Sequence, residues 1–474
     1  MPSRFESGTI RGRAMMKDLT KGPVGAHIVQ LSLFIALTTT FQTLYFLADL
    51  YFVGRLGREA IAGVGLGGNL TMLVLALTQS LGVGTTSLIA QALGRRDQAH
   101  AERVFNQSMS LSSLVGLTFG AAVFALRHAY CRALAADDAT ATLGVRYLDW
   151  FVPALFLQFP LVAMGSALRG MGDMKVPTAI QVATVLLNIT LAPTLMFGWI
   201  TGHPLGVAGT ALASFISVGV GCLAFAAYFR RPASPFRFRA ADWVPQPRLW
   251  GAILRIGLPA GGEFALIFVY MILVYGIIRP FGAAAQAGFG IGARVVQSLF
   301  LPTVAIAFAT APVAGQNFGA RLGERVRESF RFAVTLSVSI MAALALLCHF
   351  VPAPLVRFFN ADPDVVAFGS EYLRIISWNF IGTGIVFVSS SMFQAMGNTL
   401  PPLASSFSRL ALFAIPAYLL SHQPAFQMPQ IWYLSVASVV VQACVNLALL
   451  YREVGRKLAF AEVPSAPRLA AAGR

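Results

Sequence analysis

Twelve stretches of this chain are each apolar for about twenty residues or more, the length a helix needs to cross the hydrocarbon core of a bilayer. They fall at approximately 27–53, 63–90, 104–127, 145–168, 178–200, 205–229, 251–278, 289–313, 327–351, 371–395, 401–421 and 430–451. No segment alternates apolar and polar residues over about ten positions, as a membrane-barrel strand would. In lipid a helix satisfies its own backbone polar groups, so the expected fold is an all-α membrane protein of twelve transmembrane helices. Composition agrees: 11% of the 474 residues are charged and 57% are hydrophobic, against about a quarter charged in a soluble protein. An aqueous globule and a disordered chain are both excluded.

The net charge of +16 is a topology signal once it is located. Arg4, Arg11, Arg13, Lys17 and Lys21 precede the first apolar run. Arg95, Arg96 and Arg103 lie between the second and third, Arg169 and Lys175 between the fourth and fifth, and Arg230, Arg231, Arg237, Arg239 and Arg248 between the sixth and seventh. Arg321, Arg325 and Arg327 follow the eighth run, and Arg452, Arg456 and Lys457 follow the last. The alternate loops hold far fewer. This positive-inside pattern puts both termini in the cytoplasm of a bacterial inner membrane and makes nucleic acid an unexpected partner. The first run is too long for a signal-peptide core, so no cleavable leader is expected, and the polar segment before it reads as a cytoplasmic tail or short surface helix. The four cysteines do not pair by spacing and read as buried thiols.

The chain is also written twice. Leu56-Gly57, Ala62-Gly63, Gly65 and Gly67 recur 225 residues later as Phe281-Gly282, Ala287-Gly288, Gly290 and Gly292. The same offset maps Gln91 and Gly94 onto Gln316 and Gly319, Tyr147-Leu148 onto Tyr372-Leu373, and Met171-Gly172 onto Met396-Gly397. The expected lobes are residues 1–230 and 249–474, joined by a basic cytoplasmic linker, 231–248. Six spans return the chain to the side it started from, so both lobes enter the membrane in one direction. Their pseudo-two-fold axis then lies along the membrane normal, a transporter architecture. Close helix packing is the alternative explanation for any single glycine.

Several segments together resemble the multidrug and toxic compound extrusion (MATE) family. They are Ala48-Asp49-Leu-Tyr-Phe-Val-Gly-Arg-Leu-Gly57, Ser87-Leu-Ile-Ala-Gln-Ala-Leu-Gly94, Ser166-Ala-Leu-Arg-Gly-Met-Gly-Asp173, Leu187-Asn188-Ile-Thr-Leu-Ala-Pro193, Arg255-Ile-Gly-Leu-Pro259 and Gly315-Gln-Asn-Phe-Gly319. The likeness covers nearly the whole chain. Two positions depart from the family pattern: Phe34 stands where a first-span proline is usual, and Ala192 where an acid often follows the fifth-span Asn. A first-lobe cation site built on two carboxylates is therefore incomplete, which leans the coupling ion toward protons over sodium.

Only Asp49, Asp149 and Glu263 are acids well inside spans. A charge there costs about 2.5–3.5 kcal/mol on insertion scales, so such residues tend to face a cavity and serve ions or substrate. The resemblance implies cation or proton binding at Asp49 and Asn188, with Thr210 or Ser214 as a hydroxyl partner. The structural alternative for Asp49 is pairing with Arg55. Glu263, one turn after Pro259, reads either as a second ion or substrate site or as an acid satisfied at the proline kink. Gln42, Tyr45, Tyr270, Arg294, Gln297, Asn379 and Gln394 are candidate cavity residues. Asp149 and Arg374 occupy equivalent repeat positions and are candidates for an outer gate, against two solvated charges.

The expected function is a secondary antiporter exporting organic cations and drugs in exchange for protons or sodium by alternating access. It needs no cofactor and no metal beyond sodium, and works as a monomer among membrane lipids. The alternatives are a lipid-linked oligosaccharide flippase of the same superfamily and, in another class, a membrane-embedded enzyme. The first wants several cationic cleft residues, for which Arg294 and Arg374 are too few. The second wants clustered nucleophiles or paired acids, whereas the six histidines fall in loops or at span ends. None of the four lysines sits in a P-loop pattern, which disfavours an ATP motor.

Overall fold

The structure, a computed structural model, describes residues 18–199, 202–424 and 426–459. Residues 1–17, which carry Arg4, Arg11, Arg13 and Lys17, and residues 460–474 lie outside the described residues. Among the described residues every regular element is helical. The first half holds α1 Val24–Gly54, α2 Arg58–Gly94, α3 Gln98–Leu134, α4 Asp138–Gly170, α5 Lys175–Phe197 and α6 Val207–Arg230. The second holds α7 Pro247–Ile278, α8 Gly282–Leu299, α9 Leu301–Gly319, α10 Gly323–Phe350, α11 Pro352–Arg357, α12 Pro363–Ile376, α13 Asn379–Ala395, α14 Leu400–Ser421 and α15 Met428–Lys457.

By length and hydropathy, ten helical runs among these residues can cross a membrane, and an eleventh when α12 and α13, bent by 54°, are joined. One of the ten, Pro247–Gly319, is 73 residues long, about 110 Å if straight. It is two legs, because a short 3-10 turn at Arg279–Phe281 and Gly282 at φ 88 reverse the chain between α7 and α8. The architecture is thus twelve membrane legs in two six-leg lobes.

Two legs are less regular than the apolar pattern suggests. The eighth breaks at Phe300, where Pro302 opens α9; its ring removes an amide donor and crowds the preceding turn. The repeat position in α2 is Leu77, and α2 runs unbroken. The tenth leg starts at Pro363 rather than near 371, its first turn capped by the Asp362 carboxylate, which accepts from the Asp364 amide at 2.9 Å. α3 and α4 likewise outrun their apolar cores, since hydropathy marks only the part in hydrocarbon while capped polar turns continue the helix. Asp137 caps α4 by accepting from the Thr140 amide at 2.7 Å.

The duplication is visible in backbone geometry. Gly57 and Gly282 have φ 108 and 88, Gly172 and Gly397 have φ 77 and 72, and Arg96 and Arg321 both have φ 60. Positive φ is cheap for glycine and uncommon otherwise. Gly63, Gly67 and their repeat partners Gly288 and Gly292 are packing positions. A Cβ on Gly63 would stand 3.1 Å from the Gly144 nitrogen, and one on Gly288 would stand 3.0 Å from the Gly369 nitrogen. A Cβ on Gly67 would overlap the Tyr147 ring, and one on Gly292 would meet the Tyr372 ring at 2.5 Å. Gly67→Ala and Gly292→Ala are each expected to cost about 1–3 kcal/mol by overpacking. Melting of the detergent-purified protein checks this, and Gly65→Ala is the control, because nothing lies within 4 Å of a Cβ there.

Contacts between the lobes gather at the end of the bundle that carries the turns 95–97 and 320–322. Gln91 Nε2 donates to the Ala395 carbonyl at 2.8 Å, and Gln316 Nε2 donates to the Gly170 carbonyl at 3.2 Å. These two bonds are related by the 225-residue repeat. Beside them a Cβ on Gly94 would overlap the Gln316 carbonyl oxygen, and a Cβ on Gly319 the Gln91 carbonyl oxygen. Ser87 Oγ donates to the Gln394 carbonyl at 2.5 Å. Leu19 stitches the end further, its amide donating to Gln316 Oε1 at 3.1 Å. The residues that spell the repeat in sequence therefore form a reciprocal latch. The connecting segment after α6 is docked on α3: Asn106 Nδ2 donates to the Arg237 carbonyl at 2.9 Å, and Gln107 Nε2 to those of Asp242 and Val244 at 2.6 and 2.7 Å.

Candidate cation site and substrate cleft

In the first lobe α1 and α6 hold a polar ladder. Thr210 Oγ1 donates to Asp49 Oδ1 at 2.5 Å. One turn away on both helices, the Tyr45 hydroxyl and Ser214 Oγ are 3.2 Å apart. From α5, Asn188 Nδ2 donates to Ser214 Oγ at 3.2 Å. Tyr45 and Asp49 are four apart, as are Thr210 and Ser214, so helical pitch alone stacks the two rungs. Thr210, Ser214 and Asn188 are buried. Thr210 and Ser214, alternatives by sequence, both face the cluster. Arg55 is not the partner of Asp49; its Nη2 donates to the Tyr51 hydroxyl at 2.6 Å.

The second lobe holds a comparable Tyr–Ser–Asn cluster without an acid, built from partly different repeat positions. The Tyr270 hydroxyl and Ser435 Oγ lie 2.9 Å apart, and Asn379 Nδ2 donates to Ser435 Oγ at 3.2 Å. Tyr270 and Ser435 are the repeat partners of Tyr45 and Thr210, while Asp49 is matched by Val274. Here a cation appears instead: the Arg409 guanidinium lies 5.1 Å from the Tyr270 ring centroid, with its Nε buried and unbonded. Arg409 sits in the middle of α14 and was not among the expected site residues; its charge in an otherwise uncharged apolar run is the sequence signal for it. Glu263 lies deeper in α7. Its Oε2 accepts from Ser390 Oγ at 3.0 Å, and its Oε1 is buried without a partner. The kink amides therefore do not satisfy both oxygens of this acid.

A cavity of about 200 Å³ opens between α1, α2, α4, α5, α9 and α13, with Gln42 and Gln394 among its lining residues. Arg294 and Gln297 are exposed on α8. The expected Asp149–Arg374 pair is not formed in this structure. Arg127 of the adjacent α3 reaches Asp149 first, Nε to Oδ1 at 2.7 Å, while Arg374 is exposed in the other lobe.

The MatE family model matches residues 35–194 and again 259–419, the same duplication read from the sequence. The chain is 26% identical over 434 residues to the probable multidrug resistance protein YoeA of Bacillus subtilis (strain 168), covering 89% of this chain and 92% of that protein. It is 29% identical over 392 residues to the probable multidrug resistance protein YpnP of the same organism, covering 81% and 86%. A solved structure described as the outward-facing conformation of a multidrug resistance MATE family transporter superposes with a TM-score of 0.86 at 25% identity, covering 94% of this chain and 99% of that one. Twelve legs in two repeated lobes, matched by one family model in both halves, make this chain a member of the MATE (MatE) family of multidrug efflux transporters.

Proposed function

We propose that this transporter is a secondary antiporter that exports organic cations and drugs, exchanging them for protons, or for sodium, by alternating access between its lobes. The observation that carries this reading is Asp49, an acid in a membrane leg whose hydrogen-bond partner is the neutral Thr210 hydroxyl rather than a basic side chain. A carboxylate in that setting can hold one cation at a time, so proton or sodium binding displaces a cationic substrate. Ala192, standing where a second acid would complete a sodium cage, favours the proton. Tyr45, Asn188 and Ser214 shape the site. Glu263 with Ser390 is a second cation locus, and Gln42, Gln394, Tyr270, Asn379, Arg294 and Gln297 face the substrate path.

The charge pattern assigns the latched end to the cytoplasm, with lobes 1–230 and 249–474 joined there by 231–248. The structure then corresponds to the state open to the outside, in which a cation entering the cleft discharges substrate. Proteoliposomes with imposed gradients test the reading. An outward-directed proton gradient, with an acidic lumen, is expected to drive uptake of a cationic dye into inverted vesicles, and an outward sodium gradient alone is expected to drive little. Uptake indifferent to both gradients would overturn antiport.

A further inference from the structure

The cavity at the base of the cleft contains one charged residue, and it is positive. Arg169 lines it together with Gln42, Gln79, Gln158, Gln181 and Gln394, and no Asp or Glu is among its lining residues. The sequence placed Arg169 in a loop; the structure places it in the last turn of α4. Its Nη2 donates to Ser166 Oγ at 2.5 Å, a neutral partner for a group with five donors. Gly82 of α2 makes room for this arrangement, since a Cβ there would stand 2.8 Å from Ser166 Oγ and 3.5 Å from Arg169 Nη2. Asp49 lies two turns beyond Gln42 on the same helix, about 10 Å farther along the cleft. An acid toward one end and an unpaired guanidinium at the other give the cleft an electrostatic direction.

We propose that Arg169 anchors the oxyanion of an acidic or zwitterionic substrate, a carboxylate or a phosphate, while amides of the glutamines that line the same cavity donate to other polar groups of the substrate. This inference rests on the transporter reading above. A half-buried guanidinium without a counter-charge leaves charge and donors unmet, and a bidentate carboxylate supplies both the charge and the matching geometry. Because Arg169 neighbours Gly170, whose carbonyl is held by the latch, the anchor sits where substrate arriving from the latched side would first meet the chamber.

The test uses a matched pair of fluorescent dyes on the full-length purified protein. Rhodamine 110 carries a free carboxylate, and rhodamine 123 is its methyl ester. The wild type is expected to bind the acid about tenfold more tightly than the ester. In Arg169→Gln the acid-to-ester affinity ratio is expected to fall to about one, with Arg169→Lys in between because it keeps charge but loses the fork. A wild type that binds the ester as tightly as the acid overturns the anchor and leaves the transporter reading standing, and this arm needs no variant to fold. A ratio unchanged in Arg169→Gln also overturns it. A wild type that neither binds nor exchanges either dye counts against the anchor and against the export of such cations together.

Discussion

Asp49→Asn is expected to fold normally and to lose gradient-driven transport. The asparagine Oδ1 can still accept from Thr210, and a neutral amide avoids the roughly 2.5–3.5 kcal/mol insertion cost of a charge, so stability is expected to hold or rise. What disappears is the exchangeable charge. Exchange of one proton for one monovalent cation moves no net charge, so the pH gradient does the work, about 1.4 kcal/mol or tenfold accumulation per pH unit. In proteoliposomes the steady-state ratio of a cationic dye is expected to fall from tens-fold to about one, while equilibrative exchange of the dye persists. Accumulation that survives the substitution would move the coupling site elsewhere, with Glu263 the first alternative.

Gly94→Ala is expected to be as damaging through a different route. Its Cβ would overlap the Gln316 carbonyl oxygen across the lobe interface. Both atoms belong to helix backbones, so no side chain can turn away to relieve the clash. If the upper part of the roughly 1–3 kcal/mol overpacking range applies, the latched state loses about a hundredfold in population relative to the unlatched one. Transport that cycles through both states then stalls. Spin-label distances between the turns 95–97 and 320–322 are expected to lengthen in Gly94→Ala and in its repeat partner Gly319→Ala. Unchanged distances with normal transport would mean that the latch does not limit the cycle.

The legible part of this molecule was what lipid and duplication impose. Lipid demands long apolar helices, so the legs could be located, and one offset running from Gly57 to Gly172 exposed the two lobes. The same offset turned out to mark the latch, since Gln91 and Gln316 are both repeat partners and reciprocal donors. The family resemblance pointed to Asp49 and Asn188 with a hydroxyl from Thr210 or Ser214, and the fold brings both hydroxyls to the cluster. The break at Phe300 was harder to see, because an apolar run containing Pro302 looks like any kinked span. Arg169 was harder still: next to a loop it reads as a topology charge, and only folding shows Gly82 making room beside it and five glutamines lining the same cavity. Repeat equivalence made Asp149 and Arg374 candidates for an outer gate but does not fix side-chain reach, and in this state Asp149 pairs with Arg127 of the adjacent helix.

The central claim is that a proton or sodium ion and a cationic substrate compete for Asp49. Equilibrium binding of a permanently charged cationic dye to purified protein, measured across pH at fixed salt and then across sodium at fixed pH, tests this most directly. The wild type is expected to bind more weakly as pH falls, approaching tenfold per unit where the carboxylate titrates, and Asp49→Asn is expected to give a weak, flat profile. A wild-type affinity as insensitive to pH and sodium as that of Asp49→Asn would contradict exchange at this carboxylate.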